Sequence, residues 1–190
     1  MKNKLKFAII YGSTRKKRVG IRLVKYLQNQ ITKNGHNSYI IDPLENKLPL
    51  LDKRYDDYKK KDVPIAVKNV QKILTKSDAF VIVSAEYNHM PPPALINILN
   101  YYYIEFNRKP SCICSYSVGD FAGVRVQSPL RALMTQLGSP SIKYGFFQPK
   151  LINNFNENGV PADKKDAIER FNLFFKELLW YTSTLKKSRN

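Results

Sequence analysis

The chain alternates between short runs of apolar residues and longer segments in which apolar residues recur every three or four positions. Residues 5–11 are apolar except for Lys6, and residues 79–83 are apolar throughout. Uninterrupted runs of this length are typical of strands that are buried on both faces of a parallel sheet. Similar runs predict three further strands, at residues 38–41, 111–116 and 142–147.

The longer segments predict five amphipathic helices. The first has Val19, Leu23, Leu27 and Ile31 at four-residue steps and stops at Asn34-Gly35, a typical helix end. The apolar faces of the other four helices consist of Val63, Val67, Val70 and Leu74; of Leu95, Ile98, Leu99 and Tyr102; of Val126, Leu130, Leu133 and Leu137; and of Ile168, Phe171, Phe175 and Leu178.

Prolines affect where two of these helices begin. We expect Asp62 to cap the second helix, with Pro64 in its first turn. In the fourth helix, either Ser128 is the cap and Pro129 the first helical residue, or a longer helix is kinked at Pro129. The last helix is expected to open at residues 160–163 and to end in a basic segment.

The order of these elements predicts the fold. Strands that alternate with helices form βαβ units with right-handed crossovers and a parallel sheet covered on both faces. Five strands and five helices in 190 residues suit the strand order 2-1-3-4-5. We therefore predict a flavodoxin-like α/β three-layer sandwich. A single domain would span residues 1–190, with a basic C-terminal tail at about 186–190.

Composition adds limits on where the protein works. Hydrophobic residues make up 43% of the chain and aromatic residues 12%, which is enough to form a core. No apolar run approaches the roughly 20 residues that cross a bilayer. The basic residues 1–6 precede only about five apolar residues, too few for a signal segment. We expect a cytoplasmic protein without a membrane span.

The cysteines and histidines argue against a metal site. Cys112 and Cys114 lie two apart in a predicted strand, so both thiols would face the same side, and their number suits a reducing compartment. The two histidines, His36 and His89, are far from them in sequence, and a zinc site needs more ligands. We expect the cysteines to pack in the core.

The formal net charge of +17 suggests two interpretations. A basic excess can mark a protein that binds nucleic acid or a membrane surface. Here the lysines are spread along the whole chain, and the aromatic residues mostly fall at core-like positions instead of interleaving with the charges. We favour a solvated lysine-rich surface, with attraction to phosphate-bearing ligands, acidic partners or membranes as the alternative.

Candidate chemistry lies where three predicted strands end. Ligands of such sheets bind beyond the carboxyl ends of the strands, beside strand one. The loop after the first strand, residues 12–20, contains two hydroxyls and several cations directly before a helix: Ser13, Thr14, Arg15, Lys16, Lys17 and Arg18. This combination suits a phosphate. The spacings of dinucleotide and triphosphate loops are absent, which favours a terminal monophosphate over a bridging pyrophosphate or a triphosphate. The alternative is a merely solvated basic loop, which the position of the loop disfavours.

The other two loops suit a planar ring. Glu86, Tyr87, Asn88 and His89 bring a carboxylate, a phenol, an amide and an imidazole to the end of the third strand. Such groups recognise heterocycles through hydrogen bonds and aromatic contact, although His89 is more often a bystander and Glu86 can instead cap a helix or pair with a lysine. The loop at residues 115–123 offers backbone N–H groups and glycines that permit close approach.

Together these three loops resemble the NADPH-dependent FMN reductase family, which includes quinone, azo and chromate reductases. Residues 12–15, Gly-Ser-Thr-Arg, are similar to the family's phosphate loop. Residues 85–88, Ala-Glu-Tyr-Asn, resemble its Pro-Glu-Tyr-Asn, which wraps the flavin ring. Residues 91–97 resemble its Pro-Gly-x-Leu-Lys-Asn, and residues 116–119 with 123–125 resemble its third loop. The departures are Ala85, Pro93, Ile96 and Pro129.

The resemblance implies a set of FMN-binding residues. Ser13 and Arg15 would hold the FMN phosphate, helped by the backbone N–H groups of residues 16–20. The flavin ring would lie against the second and third loops. The implied cofactor-binding residues are Ser13, Arg15, Lys16, Lys17, Arg18, Val19, Gly20, Glu86, Tyr87, Asn88, His89, Tyr116, Ser117 and Gly119.

The resemblance also implies the reaction. FMN would carry hydride from NADPH or NADH to a quinone, a flavin, an azo compound or a metal oxyanion, with no catalytic side chain needed because the chemistry is the cofactor's own. The protein would be a homodimer or a dimer of dimers. Two alternatives stay open: a flavodoxin-like electron carrier without NAD(P)H oxidase activity, and a basic protein that binds nucleic acid or a membrane surface.

Overall fold

The five apolar runs form one parallel sheet in the order β2-β1-β3-β4-β5 in the computed structural model, which describes residues 4–189. This confirms the predicted fold class and strand order. The strands are β1 (Lys6–Tyr11), β2 (Asn37–Ile41), β3 (Ala79–Ser84), β4 (Ser111–Tyr116) and β5 (Phe147–Gln148). The helices are α1 (Ile21–Lys33), α2 (Ile65–Lys76), α3 (Pro93–Asn100), α4 (Gln127–Gln136), α5 (Leu151–Asn154) and α6 (Lys164–Arg189).

The alternation of side chains along each strand divides the core into two halves. Phe7, Ile9 and Tyr11 point to one face of the sheet, where they pack with apolar residues of α1 and α6. Ala8 and Ile10 point to the other face and pack with α2, α3 and α4. Because both faces are covered, β1 and β3 are apolar on both sides, as their sequences predict.

The two cysteines are core residues, as predicted. Cys112 and Cys114 are free thiols with no exposed surface, and both belong to the half of the core that contains α1 and α6. Burial raises the pKa of the Cys112 thiol, which keeps it protonated and unreactive at neutral pH.

Several predicted boundaries were wrong. Pro64, and not Asp62, occupies the cap position of α2, and Ser128 lies inside α4, which starts at Gln127 after a 3-10 turn at residues 124–126. Pro129 falls in the first turn of α4, where the missing N–H costs little. The short helix α5 lies between β5 and α6, where no helix was predicted from the sequence.

The fifth strand is shorter than the predicted 142–147. The chain joins the edge of β4 at Ile142, whose N–H donates to the Ser111 carbonyl (2.9 Å), and again from Phe146 onward. Between these points Tyr144 donates its N–H to Glu177 of α6 (3.1 Å), so the ladder is interrupted. Ile142 and Phe146 are nevertheless buried, which explains the apolar pattern.

The basic C-terminal segment is part of α6. Lys186 donates to Asp78 (3.0 Å) and Arg189 to the carbonyl of Arg108 (2.6 Å), so both cations hold the end of α6 against the amino ends of the strands. Asn190 and the first three residues of the basic N-terminus lie outside the described residues. None of the helices within residues 4–189 is long and apolar enough to cross a membrane.

Candidate functional site

A cleft of about 760 Å³ opens at the carboxyl edge of the sheet, beside the ends of β1, β3 and β4. Parallel strands bring these ends together, so the loops that follow them meet although they are far apart in sequence. The volume lies in the upper part of the range of ~300–1,000 Å³ that small-molecule sites occupy. One wall is the loop between β1 and α1, and the other is formed by the loops that follow β3 and β4.

The first loop presents a buried hydroxyl and three exposed cations. Ser13 is 2% exposed, and its hydroxyl lies 3.0 Å from the hydroxyl of Tyr87 in the second loop. The Arg15 guanidinium lies 4.2 Å from the centroid of the Tyr87 ring, in cation–π geometry. Lys16 and Lys17 are exposed and line the same cleft.

Arg18 is held differently from the other cations of this loop. It donates to Asp42, the residue that follows β2, and also to the carbonyl of Ser13 (3.3 Å). The hydrogen bond to Asp42 raises the pKa of Arg18. Its guanidinium also lies 5.2 Å from the centroid of the Tyr11 ring. Arg18 therefore connects the loop to the edge of the sheet, with most of its charge offset by a carboxylate.

The start of α1 rests on the aromatic floor of the cleft. A Cβ atom added to Gly20 would lie 2.1 Å from the ζ carbon of Tyr116, so only glycine permits this approach. The Tyr116 hydroxyl lies 3.3 Å from that of Tyr11. Burial raises the pKa of both phenols, so they stay protonated at neutral pH and can donate hydrogen bonds.

The second loop turns sharply at its tip. Tyr87 and Met90 exchange backbone hydrogen bonds of 2.9 and 3.0 Å, which closes a two-residue turn at Asn88 and His89. Both turn residues have left-handed φ angles, 51° and 65°, typical of a type I′ turn. Their side chains are exposed and lie outside the cleft lining.

An ion pair joins the second loop to the third. Glu86 accepts hydrogen bonds from the Arg125 guanidinium (3.1 Å) and from its backbone N–H (3.2 Å). The sequence suggested a lysine partner, and the partner is this arginine. Gly123 has a φ of 66°, and a Cβ atom there would lie 2.8 Å from the Tyr116 carbonyl. Glycine at this position lets the third loop pass directly over the end of β4.

Ten of the fourteen predicted site residues line the cleft: Ser13, Arg15, Lys16, Lys17, Arg18, Val19, Glu86, Tyr87, Tyr116 and Ser117. Gly20 lies behind the lining, against Tyr116. Asn88, His89 and Gly119 are exposed at the rim loops. In this structure Ser117 donates its hydroxyl to the Gly119 carbonyl (2.8 Å).

Several lining residues were not predicted. They are Ile21, Arg22, Lys25, Ala85, Val118, Ile152 and Glu157. Arg22 donates to the carbonyls of Ile152 (3.3 Å) and Phe155 (2.8 Å), and Lys25 donates to that of Glu157 (2.9 Å), so α1 holds this segment at the cleft. The sequence could have indicated this segment as part of the site, because it follows the fifth strand and so lies at the same edge of the sheet.

The cleft has the chemistry that a flavin mononucleotide requires. Its basic wall, with the Ser13 hydroxyl and the cations of residues 15–17, suits a phosphate ester. Its other wall contains the aromatic and apolar side chains of Tyr87, Tyr116 and Val118, which suit a planar ring. The donors and the aromatic surfaces present therefore fit FMN.

Fold and cleft together define a flavodoxin-like α/β protein with a phosphate site beside its first strand. Comparison with known families identifies the group more narrowly. The model of the NADPH-dependent FMN reductase family matches residues 5–150, and the chain belongs to this family. It is therefore an NAD(P)H-dependent flavin oxidoreductase whose cofactor is FMN. A search of curated proteins found no match.

Solved structures agree on the fold. FerB from Paracoccus denitrificans, a flavoenzyme NAD(P)H:(acceptor) oxidoreductase, superposes with a TM-score of 0.75 at 19% identity, over 96% of this chain and 98% of that one. An NADH:FMN oxidoreductase (EMOB) in its apo form gives 0.62 at 13% identity, over 95% and 90%. An NAD(P)H:quinone oxidoreductase from Methanothermobacter marburgensis gives 0.59 at 10%, over 96% and 98%.

Proposed function

We propose that this protein uses FMN bound in the cleft to reduce a small oxidant at the expense of NAD(P)H, with a quinone, a free flavin, an azo compound or a metal oxyanion as the acceptor. Bound FMN supplies the hydride chemistry. The observation that carries the proposal is the convergence of the basic loop at residues 13–18 with Tyr87 and Tyr116 at one cleft. The chain's residues bind and orient the reactants and shield them from water.

We assign the FMN phosphate to the first loop. The Ser13 hydroxyl and the Arg15 guanidinium would bind its oxygens, supported by the charges of Lys16, Lys17 and Arg18 and by the backbone N–H groups of residues 16–20. The position of Arg15 on the Tyr87 ring supports this assignment, because the ring fixes a guanidinium that is otherwise exposed. The protonated Tyr11 and Tyr116 hydroxyls provide further donors beneath the loop.

We assign the flavin ring to the second and third loops. Glu86, Tyr87, Asn88 and His89 on one side and Tyr116, Ser117 and Gly119 on the other would surround it. The type I′ turn at Asn88 and His89 supports this assignment because it fixes the shape of the second loop. The Glu86–Arg125 ion pair supports it because it joins the second loop to the third. Exposed Val118 and Phe121 beside this region add apolar surface.

Three further features belong to the proposal. The chain would form a single domain over residues 1–190. By the family resemblance it would assemble as a homodimer or a dimer of dimers, with the neighbouring subunit completing the wall of the site. It would work in the cytoplasm, which agrees with its two unpaired cysteines.

The proposal is tested by NADPH oxidation. Protein reconstituted with FMN is mixed with NADPH and menadione, and loss of NADPH absorbance is followed over many turnovers. The proposal predicts sustained oxidation that depends on menadione. Bound FMN without NADPH or NADH oxidation would indicate an electron carrier instead. A protein that binds no FMN but binds nucleic acid or anionic lipid in a salt-sensitive way would contradict the proposal.

A further inference from the structure

The cleft contains more positive charge than its own carboxylates balance. Six cations line it: Arg15, Lys16, Lys17, Arg18, Arg22 and Lys25. Arg18 is paired with Asp42, and Arg22 lies 3.9 Å from Glu157. The other lining carboxylate, Glu86, is paired with Arg125 outside the cleft.

Four of the six cations therefore lack an acidic partner. Within residues 4–189, no carboxylate forms an ion pair with Arg15, Lys16, Lys17 or Lys25. A phosphate monoester carries a charge of about −1.5 to −2 at neutral pH. One bound FMN phosphate would offset two of these four cations, which leaves about two positive charges in the cleft.

The positions of the cations distribute this excess along the cleft. Arg15 lies on the ring of Tyr87, in the loop after β3. Lys25 lies one turn along α1 from Ile21, where its ammonium donates to the Glu157 carbonyl (2.9 Å) in the segment after β5. The two cations therefore contact different segments of the lining, and the proposed phosphate contacts do not include Lys25. A concave site lined by one sign of charge also focuses the field and raises the local concentration of ions of opposite sign.

We infer that the oxidant reduced by this protein is an anion, bound with the help of the cationic end of the cleft around Lys25. The inference rests on the proposed function. The recognised chemistry is a sulfonate, carboxylate or oxyanion group on the acceptor. The phosphates of NADPH have the same chemistry, so the experiment must separate the coenzyme from the acceptor.

The test compares two acceptors with the FMN-loaded protein: menadione, which is uncharged, and 1,4-naphthoquinone-2-sulfonate. The variant Lys25→Glu removes a cation that is outside the proposed FMN contacts. Lys33→Glu is the matched control, since it makes the same change in the last turn of α1, away from the cleft. For each acceptor, kcat/KM of the variant is divided by that of the wild type, so the different reactivities of the acceptors cancel.

The inference predicts that Lys25→Glu lowers kcat/KM for the sulfonate by about fivefold or more at low ionic strength and leaves that for menadione within about twofold. Rising salt should reduce the difference. Lys33→Glu should change neither ratio by more than about twofold. Equal effects of Lys25→Glu on both acceptors, or none on either, would overturn the inference.

Two other results have distinct meanings. If Lys25→Glu lowers kcat/KM for NADPH alone, the cationic end serves the coenzyme and the inference about the acceptor is wrong. If the wild type binds FMN but oxidises NADPH with neither acceptor, the proposed function itself fails.

Discussion

The hydroxyl of Ser13 lies 3.0 Å from the hydroxyl of Tyr87, a contact that joins the loop after β1 to the loop after β3. The same tyrosine ring supports the guanidinium of Arg15 at 4.2 Å from its centroid. One side chain of the second loop thereby positions two side chains of the first. Tyr87 thus connects the proposed phosphate contacts to the proposed ring contacts.

The Tyr87→Phe variant separates these two roles. It removes the hydroxyl bond to Ser13 but keeps the ring beneath Arg15. Loss of one hydrogen bond costs about 1 kcal/mol, so we expect FMN to bind about fivefold more weakly. Tyr87→Ala, which also removes the ring, should weaken binding further.

Quenching of FMN fluorescence measures both dissociation constants, and Tyr103→Phe, at an exposed tyrosine, is the control. An unchanged FMN affinity in Tyr87→Phe would show that the hydroxyl contact has no role in binding.

The contact between Gly20 and Tyr116 predicts a loss of stability in Gly20→Ala. Gly20 has helical φ and ψ angles of −60° and −19°, which alanine adopts readily, so any cost must come from the overlap with the Tyr116 ring. Overpacking of this kind costs ~1–3 kcal/mol. Urea denaturation should show a decrease of that size in the free energy of unfolding.

Gly119→Ala provides the matched control for this prediction. A Cβ atom there meets nothing within 4 Å, and we expect a change within ~0.5 kcal/mol. The double variant Gly20→Ala/Tyr116→Leu should lose less stability than the sum of the losses in the two single variants. Leucine is smaller than tyrosine and leaves room for the alanine Cβ atom. Equal stabilities for Gly20→Ala and Gly119→Ala would refute the close packing at Gly20.

Because folding lowers the pKa of Lys109, we expect the free energy of unfolding to rise with pH. Burial, followed by the nearby charge of Arg189, lowers the pKa of Lys109 from its ordinary value of 10.5 to about 8 in the folded protein. Between these values the unfolded chain holds the proton more tightly than the folded chain, so unfolding becomes less favourable as pH rises. The free-energy cost of burying the charged ammonium is fully present below pH 8 and disappears as the pH rises from 8 towards 10.5.

The measurement is urea denaturation from pH 7 to pH 9.5, with Lys109→Met as the comparison. The wild type should gain stability relative to the variant over this range. The range stops there because the pKa values of several tyrosines, among them Tyr11 and Tyr116, are raised by burial, and these groups oppose the gain at higher pH. A difference between the two proteins that does not vary with pH would contradict the lowered pKa of Lys109.

The cysteines predict a simple chemical result. Cys112 and Cys114 have no exposed surface, so a thiol reagent such as Ellman's should react with the native protein only as fast as the chain opens. In urea the two thiols of each chain should react at once. Rapid reaction of the native protein would mean that β4 is not buried as described.

The sequence was most informative where a pattern is local. The apolar runs of β1 and β3 predicted their positions because burial on both faces leaves no polar positions. The same kind of apolar pattern led to a predicted strand at residues 142–147 that is too long. Ile142 and Phe146 are buried as in a strand, but the Tyr144 N–H bonds to Glu177 on α6, and no local pattern reveals that distant partner.

The residues of the site also divide into those that the local sequence reveals and those that depend on distant partners. Ser13 and Arg15 are recognisable because they follow a strand and precede a helix, a position that favours phosphate. Asp42 and Arg125 were missed as partners because each contact joins residues from separate loops, Arg18 with Asp42 and Glu86 with Arg125. Such pairs depend on strand register and loop path, which single-sequence patterns do not contain.

The central claim is that the loop after β1 binds the phosphate of FMN, and the most direct test compares FMN with riboflavin, which lacks that phosphate. The account predicts that the wild type binds FMN much more tightly than riboflavin. Arg15→Ala should weaken FMN binding by about 10- to 100-fold, the value of a hydrogen bond to a charged group, and leave riboflavin binding unchanged. Lys33→Ala should affect neither ligand. Equal affinities of the wild type for FMN and riboflavin would contradict the account.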